Sequence, residues 1–135
     1  MTISFFVPGR PRSTQTGTVA VVTRPGKKPL HIPTRRNPQW SKAFGLVAKQ
    51  YRPPMPFTGA VGLRMVFRRR APRALNRDAA AVARAWPTTQ PDWINLVKGL
   101  EDTMNGVFWK DDGQVCHGDV WKVYALPEEP EGGEV

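Results

Sequence analysis

Residues 91–115, PDWINLVKGLEDTMNGVFWKDDGQV, decide how the rest of the chain is read. Trp93, Leu96, Val97, Leu100 and Met104 recur at helical intervals, which predicts an amphipathic helix from Trp93 to Asn105 with these side chains in the core. Asn105-Gly106 is its stop signal, and Asp92, directly after Pro91, falls at its start. Asn95, Lys98, Glu101, Asp102 and Asn105 share the opposite side. Lys110-Asp111-Asp112-Gly113 then turns the chain into an apolar run from Val115 to Leu126. Each part has an ordinary explanation alone: Asp92 caps, Lys98 pairs with Glu101 or Asp102, and the Asp pair makes a turn. Taken together, a capping Asp, a lysine one to two turns later and an Asp pair leading into a strand form a candidate site for Mg²⁺, a hard cation that prefers oxygen ligands.

Outward from this stretch, residues 2–7 have strand composition and end at Pro8-Gly9-Arg10-Pro11. Val19–Thr23 and Leu30–Pro33 flank Pro25-Gly26-Lys27-Lys28-Pro29, which predicts a loose hairpin whose basic tip, Lys27 and Lys28, can touch a phosphate backbone. Trp40, Phe44, Val47 and Ala48 predict the core face of a helix over residues 37–51, with Asn37 as cap, Pro38 at the first position and Arg52-Pro53-Pro54 as the stop. A strand is expected over residues 59–67, running into a basic loop inserted at residues 68–90. Arginine forks suit phosphate oxygens, so Arg68, Arg69, Arg70, Arg73 and Arg77 are the leading candidates for gripping a nucleic acid, against the alternative of a solvated excursion. These elements predict one α+β domain over residues 1–126 and a flexible acidic tail over 127–135.

Charge is strongly partitioned. Residues 1–91 hold 17 Lys and Arg against the single acid Asp78, a net +16, whereas residues 92–135 hold 3 bases and 10 acids, a net −7. The basic part attracts a polyanion, and the acids at 111 and 112 add something that nucleic-acid binding alone does not require. Cys116 is the one cysteine and cannot form an intramolecular disulfide, and the N-terminal apolar run is too short for a secretory signal or membrane span. A cytoplasmic protein without membrane association is expected. His31, Cys116 and His117 lack the spacing of a zinc site, and there is no glycine-rich phosphate loop and no GxSxG elbow.

At residues 91–125 the sequence resembles the RusA-type Holliday junction resolvases, small endodeoxyribonucleases common in phages and prophages. That family opens its catalytic helix with Asp-x-Asp-Asn, places a lysine three residues after the Asn, and continues with Gly-x-x-Trp-x-Asp-Asp-x-Gln-Val. Asp92, Asn95, Lys98, Gly106, Trp109, Asp111, Asp112, Gln114 and Val115 fit that pattern. The resemblance implies a small mixed sheet packed against two main helices, a homodimer acting on four-way or branched DNA, and Mg²⁺-dependent nicking. It makes Asp92 and Asp112 metal-binding carboxylates, Lys98 the catalytic lysine and Asp111 a neighbouring acid. One position departs: Ile94 stands where the family has its second Asp. Three consequences stay open: an acid such as Asp102 or Asp111 compensates, the metal binds more weakly, or the protein binds junctions or duplex without cutting.

Overall fold

A computed structural model describes residues 1–12, 19–23, 25–28, 30–33 and 39–135. In chain order the elements are β1 (Phe6–Pro8), β2 (Val19–Val22), β3 (Leu30–Pro33), α1 (Gln39–Gln50), β4 (Val61–Arg70), α2 (Ala79–Arg84), α3 (Trp93–Met104), β5 (Val115–Ala125) and β6 (Gly132–Glu134). Single 3₁₀ turns at Leu75–Arg77 and Asp112–Gln114 precede α2 and β5. Four strands form one mixed sheet in the order β1-β6-β4-β5, and β2 and β3 form a separate hairpin. β4 and β5 run parallel, so residues 71–114, which include α2 and α3, supply the long crossover that a parallel pair requires. β6 is antiparallel to both β1 and β4. This is the expected α+β architecture.

Alternation along β4 sends Leu63, Met65 and Phe67 into a core shared with Trp40, Phe44 and Ala48 of α1 and Leu96, Leu100 and Met104 of α3. Burying each of the three α3 side chains contributes about 1.5–3 kcal/mol, which fixes the rotation of the helix and leaves Lys98 and Asp102 in solvent. The other face of the sheet carries Arg64, Val66 and Arg68 on β4 beside Asp119, Trp121 and Val123 on β5.

Several elements differ from the sequence-based expectation. The first strand begins only at Phe6, although Phe5 and Val135 exchange two backbone hydrogen bonds of 2.9 Å beyond the ladder. The expected Asn37-Pro38 cap of α1 lies outside the described residues. Trp93 is not core but 52% exposed, because the helix buries its Leu96 face. The basic excursion does not begin at Arg68: Arg68, Arg69 and Arg70 are the last residues of β4, paired throughout with Val123, Tyr124 and Ala125 of β5.

Nor do residues 127–135 form a free tail. Gly132 and Gly133 insert between β1 and β4, and Arg68 donates to Glu134 at 2.7 Å. A Cβ at Gly132 would collide with the Phe6 ring and the Val7 carbonyl, so this Gly-Gly pair, which in sequence resembles a flexible end, is what the tight packing demands.

Candidate active site around helix α3

The segment leading into α3 is held by two cations. The Arg69 guanidinium donates to Gln90 O at 2.6 Å and Thr89 Oγ1 at 3.2 Å, and Lys122 Nζ donates to Thr89 O at 2.9 Å and Pro91 O at 3.1 Å. Burial and the charge of Arg69 push the Lys122 ammonium below its ordinary value, while Asp92 pulls the other way. Asp92 occupies the N-cap position, but its side chain makes no capping hydrogen bond. The capping explanation of this aspartate therefore fails, and its exposed carboxylate stands near Lys122.

At the other end of α3, Asn105 ends the helix and Gly106 takes φ 76°, a left-handed conformation suited to glycine. Trp109, 1% exposed, donates its indole N–H to Asp112 Oδ1 at 3.2 Å. Gln114 holds the acidic turn from both sides. Its Oε1 accepts from the Lys110 and Asp111 amides at 2.9 and 3.0 Å, and its Nε2 donates to Phe57 O and Gly59 O at 2.8 and 2.9 Å. Asp111 Oδ1 accepts from the Gly113 amide at 2.7 Å, so this acid caps the 3₁₀ turn.

Lys98 is paired with Asp102 and also feels the charge of Asp112. Lys98 Nζ donates to Asp102 Oδ1 at 2.8 Å, and Asp102, followed by Asp112 and Glu101, raises the lysine above its ordinary value. Glu101 is pushed up first by burial and then by the charge of Asp112, with Lys98 opposing. Thus Lys98, Glu101 and Asp112 share one electrostatic neighbourhood, whereas Asp92 acts on Lys122. Ile94 is 58% exposed and so takes no part in the core. Among the described residues, no three His, Cys, Asp or Glu side chains gather as a metal-holding group. The donors fit a hard divalent cation in kind, but not as a complete carboxylate set.

Glu101, Lys122 and the clamping role of Gln114 were not singled out from the sequence. Glu101 lies three residues beyond Lys98 on the polar face, and Lys122 is a lone cation in an apolar strand, which are the signals that could have found them. The arginines assigned to DNA divide into two groups. Arg68 pairs with Glu134 and Glu129, Arg69 holds residues 89 and 90, and Arg70 donates to Pro127 O at 3.0 Å. Arg73, Arg77, Lys27 and Lys28 are exposed, and none of them has an ion pair among the described residues. A groove of about 630 Å³ lined by Ile3, Phe57, Val61, Val66, Met104 and Val135 contains none of the predicted site residues.

The α+β sheet thus carries a helix whose N-cap aspartate makes no capping bond, followed by a turn whose Asp112 is held by Trp109. The family model for endodeoxyribonuclease RusA matches residues 7–129, far beyond the motif-bearing segment, and the chain belongs to that family. An uncharacterized protein of Bacillus subtilis (strain 168), YqaN, is 38% identical over 104 residues, covering 70% of this chain and 72% of the relative. No helix among the described residues is long and apolar enough to cross a membrane.

Proposed function

We propose that this chain is a structure-selective endonuclease that nicks four-way or other branched DNA as a homodimer in the cytoplasm, with Mg²⁺ as cofactor. The observation that supports this reading is that Trp109 holds Asp112 and Gln114 holds its turn, with the charge of Asp112 acting on Lys98. Asp112 and Asp92 are the proposed metal carboxylates. Glu101 is better placed than Asp102 or Asp111 to supplement Asp112, because Asp102 is paired with Lys98 and Asp111 caps its own turn.

When bound, Mg²⁺ supplies an activated water and neutralises charge on the phosphoryl oxygens. Asp112 accepts the Trp109 indole N–H at one oxygen, which leaves the other for the proposed metal. Lys98 stays protonated at neutral pH, since its acid neighbours raise it. Its part is therefore a fixed positive charge beside the phosphate undergoing attack, not a general base. Arg73, Arg77, Lys27 and Lys28 attract and position the backbone without reading sequence. Arg68, Arg69 and Arg70 add to the positive field, while their internal bonds maintain the sheet and the entry to α3.

The Ile94 departure favours one second reading: a junction or duplex binder whose chemistry is weakened or lost, since among the described residues no three His, Cys, Asp or Glu side chains gather. Incubating the protein with labelled four-way junction, duplex and single strand, with Mg²⁺ or EDTA, separates the two. Nicks confined to the junction and abolished by EDTA support the enzyme; junction retention without nicks at any Mg²⁺ concentration supports the binder. Absence of junction preference defeats both.

A further inference from the structure

Two tryptophans lie stacked on the surface. Trp86, just after α2, and Trp121 of β5 have ring centroids 6.2 Å apart and planes inclined by 26°, yet remain 61% and 45% exposed. Anchoring the excursion does not need them, because Val82 and Ala71 are buried at 1% and 5% and Pro87 is buried as well. A pair of indoles serving only as an internal brace would be expected to bury more of its large apolar surface.

The surroundings of the pair are cationic. On the same sheet face, Arg64 and Arg68 are diagonal neighbours of Trp121, because Val66 is its direct partner in the ladder. Arg68 is committed to Glu134, but Arg64 reaches Asp119 only at 3.9 Å with its side chain 73% exposed, so it can turn to another anion. The segment leading to Trp86 carries Arg73, Arg77 and Arg84, all exposed and without ion pairs among the described residues. Exposed aromatic faces together with exposed guanidinium groups offer a nucleobase a stacking partner and its phosphates a counter-charge.

We infer that Trp86 and Trp121 form a stacking platform for an unpaired nucleotide of single-stranded DNA, with Arg64, Arg73, Arg77 and Arg84 receiving its phosphates. The surface lies outside the Asp112–Lys98 site and rests on the proposed function only in that DNA is the polyanion. A base within an intact duplex cannot offer its face to the indoles, so the platform discriminates unpaired from paired strands.

The test is fluorescence anisotropy of labelled dT15 and of a labelled 15-bp duplex, with the full chain in EDTA so that binding is read without cleavage. Trp86→Ala and Trp121→Ala should each weaken dT15 binding by about 5- to 150-fold, the range expected for loss of one base stack, with duplex affinity changed less than about twofold. Trp86→Phe and Trp121→Phe should recover most of the loss, and all four variants should unfold in urea as cooperatively as the parent, which shows that they are folded under the binding conditions. An unchanged dT15 affinity, or equal losses for dT15 and duplex, overturns the platform. So does a case in which Trp86→Ala abolishes self-association in sedimentation while leaving dT15 binding intact, since the pair would then be a protein interface. Should Trp121→Ala unfold, the Trp86 variants decide alone. Junction nicking is scored separately with Mg²⁺, so failure of the nuclease reading and failure of the platform give different results.

Discussion

Replacing Gln114 by Met removes four hydrogen bonds while nearly conserving side-chain length, and so isolates what the amide does for the site. Its Nε2 donates to two carbonyls of the segment before β4, and its Oε1 accepts from two amides of the acidic turn. The bond to Phe57 O is partly buried, and the other three are exposed to water that can replace them. Taking about 1 kcal/mol for the first and about 0.5 for each of the others predicts a loss of about 2–3 kcal/mol. Urea unfolding monitored by tryptophan fluorescence measures this as a lower midpoint with an unchanged slope.

The functional consequence is larger than the stability loss, because the clamp also registers the turn that carries Asp112. Junction nicking under conditions where the variant is fully folded should fall at least about tenfold, since small misplacements of a reacting group are costly. Gln114→Asn, too short to span both segments, should resemble Met. Nicking at the parental rate, with a midpoint loss below about 0.5 kcal/mol, would refute the clamp and with it the positioning of Asp112 argued from this geometry.

Ile94→Asp should leave stability within about 1 kcal/mol, since Ile94 is 58% exposed and a carboxylate near a helix N-terminus is favourable, and should lower the Mg²⁺ concentration needed for half-maximal nicking. An unchanged metal requirement would mean the position is not a ligand site in this chain. Asp112→Asn should reduce nicking to background with junction affinity retained within about threefold, read by gel shift in EDTA; persistent cleavage would remove Asp112 from the chemistry. Glu101 lies above the ordinary carboxylate value, so the stability contribution of its protonated form is present at low pH and is lost as pH rises through the raised value. Glu101→Gln should therefore match or exceed the parent at pH 7 in metal-free buffer, with its relative gain shrinking toward pH 4. A variant less stable than the parent at pH 7 would contradict the cause assigned to that shift.

What could be read from the sequence was what depends on local pattern. The buried face of α3 is visible in Leu96, Leu100 and Met104, its end in Asn105-Gly106, and the hairpin in two β-branched runs around a Pro-Gly turn. What could not be read depends on pairing between distant segments. Arg68–Arg70 look like the start of a loop because three consecutive arginines are unusual in a strand, yet Val123–Ala125 of β5 pair with all three. The Gly-Gly of β6 looks frayed until Phe6 and Trp40 are placed against it. For the same reason the motif marked Asp112 and Lys98 but not how they are held: Trp109 binds Asp112 locally, whereas Gln114 binds carbonyls of residues 57 and 59, more than fifty positions upstream.

This division explains why position 94 can vary while the framework remains. Ile94 lies on the solvent side of α3, and the contacts that hold the helix come from Leu96, Leu100 and Met104 beneath it and from Arg69 and Lys122 at its entrance. A carboxylate there would add a charge without disturbing a packed contact, so the proposed metal binding at position 94 is separable from folding. Asp112 is differently placed: it accepts the N–H of the buried Trp109, so a substitution that cannot accept that bond leaves an indole donor unpaired at about 1–3 kcal/mol. Asparagine retains an acceptor for the indole while removing the charge, which makes Asp112→Asn a test of chemistry, whereas Asp112→Ala would mix chemistry with stability.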